Sequence, residues 1–353
     1  MLARSHSSEK KQEIPMQGVV FRGDRELELQ HFPDPTPGPE EVVVEVRASG
    51  MCGSDLHEYR KPKGSAPNVI AGHEPAGVIV AVGELVPTSW VGRAVMIHHY
   101  IGCGRCDQCR AGWTHLCRQE LRALALNVHG GHADFIKMPF SSVMPLSEGL
   151  SFQAAAAISC GTGTAWGALE MINVRGDDTI AIFGQGPVGL SATQLATAMG
   201  AKVIALDIEP KRLQRAQEFG AAETINPLEV DSVADAVLAL TGGRGVTKSL
   251  ETSAAPIATQ QALQVLGLWG SVCWIGRGAG LQVDMTEQLT KQITAKTSWT
   301  LSSVQMAHLA DFVLDRGIDV DALFTERWTL SQAAEAYQWF DRQSDGKGVF
   351  LPN

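Results

Sequence analysis

Short alternating apolar runs open the chain at residues 19–21, 27–30 and 42–46, broken by Pro33, Pro35, Pro37 and Pro39. Period-two alternation punctuated by proline predicts strands and turns. The same glycine-rich, β-branched texture continues through residues 69–82 and 93–97, so about the first 150 residues read as an irregular all-β or α+β domain. From about residue 178 the pattern changes to an apolar strand at 179–183, a glycine turn, a helix at 187–199, a strand at 202–206 and a helix at 210–219. That alternation predicts a parallel sheet with crossover helices. Residues 233–240, 246–251, 257–266 and 271–275 continue it. Past about residue 300 it stops, leaving a helix-like stretch at 304–314 and short segments. A piece this short is expected to pack back on the first domain rather than bury a core alone.

Composition narrows the picture. A chain of 353 residues exceeds what one hydrophobic core usually supports, so two domains are expected. With 44% hydrophobic and 19% charged residues it should fold. The net charge of -9 argues against whole-surface attraction to nucleic acid or anionic lipid, so neither nucleic acid nor membrane is an expected partner. No apolar stretch approaches the roughly 20 residues needed to span a bilayer. Residues 1–17 are polar, with Glu9, Lys10, Lys11 and Glu13 and no apolar h-region, so a secretory signal is not expected there. Residues 1–14 read as a frayed extension, and a cytoplasmic location is expected.

In a reducing compartment seven cysteines point to thiol chemistry or metal ligation before disulfides. Cys103, Cys106, Cys109 and Cys117 follow one another at short spacing among glycines and arginines. Four thiolates so placed suit tetrahedral Zn²⁺ in a closed, structural site. Backbone N–H groups, with Arg105, Arg110 or Arg118, could offset the surplus negative charge. An iron–sulfur cluster fits less well, because the ferredoxin run ends in proline and here Arg118 follows Cys117. Free thiols on a loop are the other alternative.

Gly184, Gln185, Gly186, Pro187, Val188 and Gly189 lie between the 179–183 strand and a helix, with Asp207 ending the next strand. In that setting the glycines allow a tight turn, close approach of a pyrophosphate and close helix packing, which predicts a dinucleotide site. The pyrophosphate would meet the helix N-terminus, where Pro187 sacrifices no needed N–H. Asp207 can accept from both ribose hydroxyls and would repel a 2′-phosphate, so NAD is expected ahead of NADP. Lys211 and Arg212 either help bind the adenosine end or form a solvated helix face.

Three further segments hold Cys52 (in Gly50 to His57), His73 (before Glu74) and Cys160 (in Ser159 to Thr164). Alone, each is bland, since a lone cysteine is most often a small buried hydrophobe. Together with the cysteine cluster and the glycine turn, in this order, they resemble the zinc-dependent medium-chain alcohol dehydrogenases over nearly the whole chain from about residue 16. The resemblance implies an α/β architecture with a GroES-like β catalytic domain, residues 1–163 and 300–353, and a Rossmann doubly wound domain, residues 164–299, with the active cleft between them. It implies two zinc ions per chain, the catalytic one held by Cys52, His73 and Cys160 with one open position. The reaction implied is reversible oxidation of a primary or secondary alcohol to aldehyde or ketone, with the zinc stabilising the alkoxide and hydride passing to NAD.

By the same resemblance Asp55 orients the histidine ligand, and Glu74 sits near the zinc, as an occasional ligand or as an ordinary acid. Ser54 and His57 match a proton relay that passes through the cofactor ribose to solvent; their alternatives are a turn-capping hydroxyl and a surface histidine. His99, beside His98 and Tyr100, matches a pocket position. There it would favour a polar or hydroxylated alcohol, unless the run is only packed aromatics. Trp166 lines the pocket or fills the core, and Cys273 is a packing residue. The short link between Cys117 and Gly130 resembles the bacterial alcohol, polyol and threonine dehydrogenase branch, so a homotetramer is expected ahead of a dimer. Two alternatives are a zinc-free alkene or quinone reductase on the same fold and a non-catalytic nucleotide-binding protein with structural metals.

Overall fold

A computed structural model describes residues 15–278, 280–342 and 346–352. The extension read at residues 1–14 lies outside the described residues. Strands β1 (Met16–Gly23) and β2 (Glu26–Phe32) form an antiparallel hairpin. Its turn places Asp24 and Arg25 at φ 49° and 63°, the left-handed conformation that two-residue hairpin turns use to match strand twist. The prolines then lead to β3 (Glu41–Gly50), which is buried along most of its length and followed by the short helix α1 (Asp55–Tyr59). Next come β4 (Glu74–Val82), β5 (Ala94–Ile97) and β6 (Tyr100–Ile101). After α2 (Asp107–Arg110) follow β7 (Arg122–Ala123), β8 (Phe135–Pro139) and β9 (Val143–Pro145).

Two helices that the hydrophobic pattern did not announce bridge to the second half, α3 (Phe152–Ile158) and α4 (Gly161–Met171). The alanine run of α3 is buried on every side, so no amphipathic period marks it. Its alanines share one apolar cluster with Ala48, Ala76 and Met96 of the first sheet and with Ile180 and Ile182 of the second. The expected boundary at 163/164 therefore falls inside α4, a continuous helix. Gly167 is needed there, because a Cβ would stand 2.4 Å from the Thr300 carbonyl oxygen.

The alternating region forms β10 (Thr179–Phe183), α5 (Pro187–Ala198), β11 (Lys202–Leu206), α6 (Pro210–Glu218), β12 (Glu223–Ile225) and α7 (Val233–Leu240). It continues with β13 (Val246–Glu251), α8 (Pro256–Gln264), β14 (Leu266–Trp274), α9 (Met285–Lys291) and β15 (Thr294–Thr297). The sheet runs β12-β11-β10-β13-β14-β15 with every pair parallel. The strand expected at 271–275 starts earlier, at Leu266. Strand β15 carried no apolar signal because all four of its residues are exposed.

The C-terminal stretch forms α10 (Ser303–Asp315), β16 (Phe324–Trp328), α11 (Ala333–Asp341) and β17 (Lys347–Phe350). Strand β17 pairs antiparallel with β3, so the last residues complete the first sheet, ordered β16-β17-β3-β4-β5-β9 with β8 also on β3. Met306, Leu309, Ala310 and Val313 of α10 pack into the same apolar cluster as α3.

Candidate metal centre and nucleotide cleft

Strand β3 delivers Cys52 to the start of α1, His73 and Glu74 stand at the start of β4, and Cys160 caps the N-terminus of α4. These elements bring one ligand atom from each of Cys52, His73, Glu74 and Cys160 within 4.8 Å of one another. The Cys52 and Cys160 sulfurs are 4.0 Å apart. Asp55 contacts two members of the cluster. Its Oδ1 lies 2.9 Å from His73 Nδ1, and its Oδ2 accepts the Cys52 amide at 2.9 Å. His73 Nε2 thus points to the cluster, 3.2 Å from the Ser54 hydroxyl, which also donates to Cys52 Sγ at 3.2 Å.

The cluster gathers several mutually interacting ionisable groups away from water. Hydrogen bonding from Cys160 pulls the Cys52 thiol well below its ordinary value, and the same bond with burial drives Cys160 well above. Burial pushes the Glu74 carboxyl up to about 7 although Lys347 opposes it. Lys347 Nζ, buried on β17, stands 2.6 Å from Glu74 Oε2 and donates to the Met51 carbonyl at 2.8 Å. Glu74 Oε1 is buried with no hydrogen-bond partner among the described residues. Two thiols, an imidazole nitrogen and an orphaned carboxylate oxygen form a donor set that fits zinc. Lys347 escaped the sequence reading; its only signal was a single charge opening an apolar C-terminal strand.

Cys103, Cys106, Cys109 and Cys117 form the second cluster, their sulfurs also within 4.8 Å of one another. None of the seven cysteines is in a disulfide. Cys117 Sγ accepts from the amides of Cys103 and Glu120, and Cys103 Sγ from that of Cys106, each at 3.4 Å. Arg105, one of the arginines considered for charge compensation, is paired with Glu120 at 3.0 Å instead. Four sulfurs with amide donors fit a closed zinc site.

A cavity of about 440 Å³ opens beside the first cluster, lined by Ser54, His57, Glu58, His73, His99, Tyr100, Leu124, Leu126 and Arg277. Ser54 and His57 share this wall, and the His57 amide donates to the Ser54 carbonyl at 3.2 Å. His99 Nδ1 lies 2.9 Å from the Ser159 carbonyl. A carbonyl only accepts, so Nδ1 carries the proton, and burial holds the ring neutral by pushing its pKa well down. Its Nε2 is then a bare acceptor, on a ring 5.2 Å from that of His73. Trp166 is a core residue packed on Phe312. Cys273 is buried in β14.

The glycine turn has the geometry its sequence demands. Gly184 has φ +87°, and a Cβ on Gly189 would lie 1.7 Å from the Gly184 carbonyl oxygen. Gly186 caps α5 and Pro187 begins it. Asp207, at the end of β11, accepts the amides of Gln185 at 2.6 Å and Glu209 at 2.9 Å. Arg212 turns toward Asp207, with Nη1 3.8 Å from its Oδ2, rather than forming a solvated face. Two residues not anticipated support the turn. Thr252 donates to the Gly184 carbonyl at 3.0 Å, and buried Glu251 accepts the amides of Ser253 and Ala254.

The two halves of the site meet at the start of α4. A Cβ on Gly161 would lie 3.8 Å from Glu74 Oε1 and 4.0 Å from Val188 Cγ2, and Thr162 Oγ1 is 3.0 Å from Ser191 Oγ on α5. A cluster of potential metal ligands abutting a glycine-rich strand-to-helix turn is an arrangement that suits a metal-dependent dehydrogenase. Comparison with known proteins agrees. Residues 38–148 match the alcohol dehydrogenase GroES-like domain and residues 187–315 the zinc-binding dehydrogenase domain. An uncharacterized zinc-type alcohol dehydrogenase-like protein of Escherichia coli (strain K12) is 32% identical over 95% of this chain and 98% of its own length. A sorbitol dehydrogenase of Bacillus subtilis (strain 168) is 31% identical over 92% of this chain and 93% of its own. The solved structure of an alcohol dehydrogenase from E. coli CFT073 complexed with NADH superposes with a TM-score of 0.87 at 25% identity, covering 95% of this chain and 99% of that one. The chain belongs to the zinc-dependent medium-chain alcohol dehydrogenase family, with a GroES-like β fold and a Rossmann fold.

Proposed function

We propose that this oxidoreductase interconverts a hydroxylated alcohol and its aldehyde or ketone, using NAD and a catalytic zinc. The observation that carries the proposal is the meeting of the Cys52, His73, Glu74 and Cys160 cluster with Val188 of the dinucleotide turn across Gly161. Cys52, His73 and Cys160 would hold the catalytic ion, with Glu74 beside it and Lys347 balancing the charge. Zinc bound there supplies Lewis acidity toward a substrate oxygen, and NAD bound at the turn supplies a hydride acceptor. Ser54 and His57 would be the two ends of a proton relay: the Ser54 hydroxyl gives up its own proton as it accepts that of the substrate hydroxyl, and His57, on the open side of the cavity and joined to it when the ribose of NAD lies between them, would release a proton to water. The bare Nε2 of His99 accepts from a further hydroxyl of the substrate, which favours a diol or polyol over a simple alkanol; the sorbitol dehydrogenase relative points the same way. Asp207 takes the adenosine ribose hydroxyls, and its charge disfavours a 2′-phosphate.

Cys103, Cys106, Cys109 and Cys117 would hold a second, structural zinc. We assign residues 1–163 and 300–353 to the catalytic domain and 164–299 to the nucleotide domain, supported by the pairing of β17 with β3. Tetrameric assembly in the cytoplasm completes the proposal, supported by the short link after Cys117. Among the described residues no helix is long and apolar enough to cross a membrane. The retained ligand set speaks against the zinc-free reductase alternative. The test is reduced-nicotinamide absorbance with polyols, diols and simple alcohols, each with NAD and NADP, together with zinc content. Two zinc ions per chain and turnover with NAD on polyols support the proposal; no turnover on any alcohol or carbonyl overturns it.

A further inference from the structure

A buried polar chain runs from the back of the metal cluster into the core. Ser49 on β3, His132 before β8 and Tyr337 on α11 are each fully buried, and the reaction described above uses none of them. Ser49 Oγ lies 2.8 Å from His132 Nδ1, and His132 Nε2 lies 2.8 Å from the Tyr337 hydroxyl. That hydroxyl donates to Asp55 Oδ2 at 3.3 Å. Asp55 in turn holds the His73 ring and the Cys52 amide.

The direction of the chain follows from what each group can do. A carboxylate only accepts, and a phenol has one hydrogen to give. With that hydrogen on Asp55, the Tyr337 oxygen must accept from His132, so His132 carries its proton on Nε2. Its Nδ1 is then bare and takes the Ser49 hydrogen. At the other end the Asp55 carboxylate takes the His73 Nδ1 proton, so the neutral ring, the form that ligates a metal, would present a bare Nε2 to the cluster. Gly72, next to His73 in the chain, admits this arrangement, since a Cβ there would lie 2.2 Å from His132 Nδ1. A fully satisfied buried network of this kind holds its members in one geometry.

We infer that Tyr337, backed by His132 and Ser49, is a positioning residue for the catalytic metal site: it fixes Asp55, and through Asp55 the His73 ring and the Cys52 backbone. The inference rests on the proposed zinc at Cys52, His73 and Cys160. Tyr337→Phe removes only the hydroxyl and keeps the ring against Phe21 and Tyr59, whose centroids lie 4.8 and 5.3 Å away.

Chelator-driven zinc release from the loaded enzyme tests it, with the four-cysteine ion as internal reference. Tyr337→Phe should speed release of the catalytic ion about tenfold, the lower range for residues that orient a metal ligand. It should leave the reference ion and the KM for NAD unchanged. In an Asp55→Asn background the Tyr337→Phe effect should vanish, because both act through one carboxylate; an equal effect in both backgrounds overturns the inference. A second readout needs no activity. Ring-¹⁵N histidine NMR of the zinc-loaded enzyme should find the His132 proton on Nε2, and a proton on Nδ1 would reverse the chain and overturn the inference. Wild-type protein holding only one zinc would sink the proposed function, and the His132 tautomer would still decide the chain's direction by itself.

Discussion

The two cysteine-containing clusters of this molecule are built on opposite plans. Cys103 and Cys117 are 14 positions apart in one short segment, and backbone amides donate to their sulfurs. Cys52 and Cys160 are 108 positions apart, and their surroundings are side chains: Asp55 against His73, Lys347 against Glu74, Tyr337 against Asp55. A site made from one short segment with four like ligands is complete in itself, which suits the structural role proposed for it. A site assembled from β3, β4, α4 and β17 carries mixed donors and opens on a cavity, the combination that chemistry on a substrate requires.

The sharpest way to break this contrast is Cys52→Ser. Turnover should fall further than the roughly 10–100-fold seen when only a ligand-orienting residue is lost, zinc content should drop by one ion, and the unfolding midpoint should hardly move. Cys106→Ser should do the reverse, costing on the order of 4 kcal/mol of stability in denaturant melts. Similar stability losses in the two variants would erase the proposed division of roles. Lys347→Met comes next. It strands a buried Glu74 carboxylate and should cost about 3 kcal/mol, most of which Glu74→Gln in the same chain should restore. If the double variant is no more stable than Lys347→Met alone, the pair is not what Lys347 is there for. Smallest is Arg105→Met at the other cluster. Arg105 and Glu120 are 67% and 59% exposed, so its loss should stay within about 0.5 kcal/mol, and a larger cost would mean the arginine compensates the thiolates after all.

The same contrast explains what could be read from the chain. The four-cysteine cluster was visible as spacing, and the glycine turn as strand, glycines and helix in succession, because both are local. The parallel sheet followed from alternating strand and helix patterns over residues 179–275. Helix α3 did not show, because a run of alanines buried all round has no polar face to set a period. Strand β15 did not show, because it is exposed throughout. Cys52, His73 and Cys160 became a set only through resemblance to a family; nothing local to any one of them distinguishes a ligand from a packing residue.

Sequence alone, then, determined that two kinds of sheet are present, where a tight glycine turn joins strand to helix, and which side chains are capable of ligation. The tertiary structure decided what surrounds each group. Lys347 reaches Met51 across 296 positions and Tyr337 reaches Asp55 across 282, and it is burial that turns those encounters from incidental neighbours into strong ones. Away from water an unpaired charge or hydrogen-bonding group is expensive, so partners brought together by folding hold each other's protonation and position. The field at the candidate metal site and the hydrogen bonding of His73 are therefore properties of the packed molecule and of no segment of the chain.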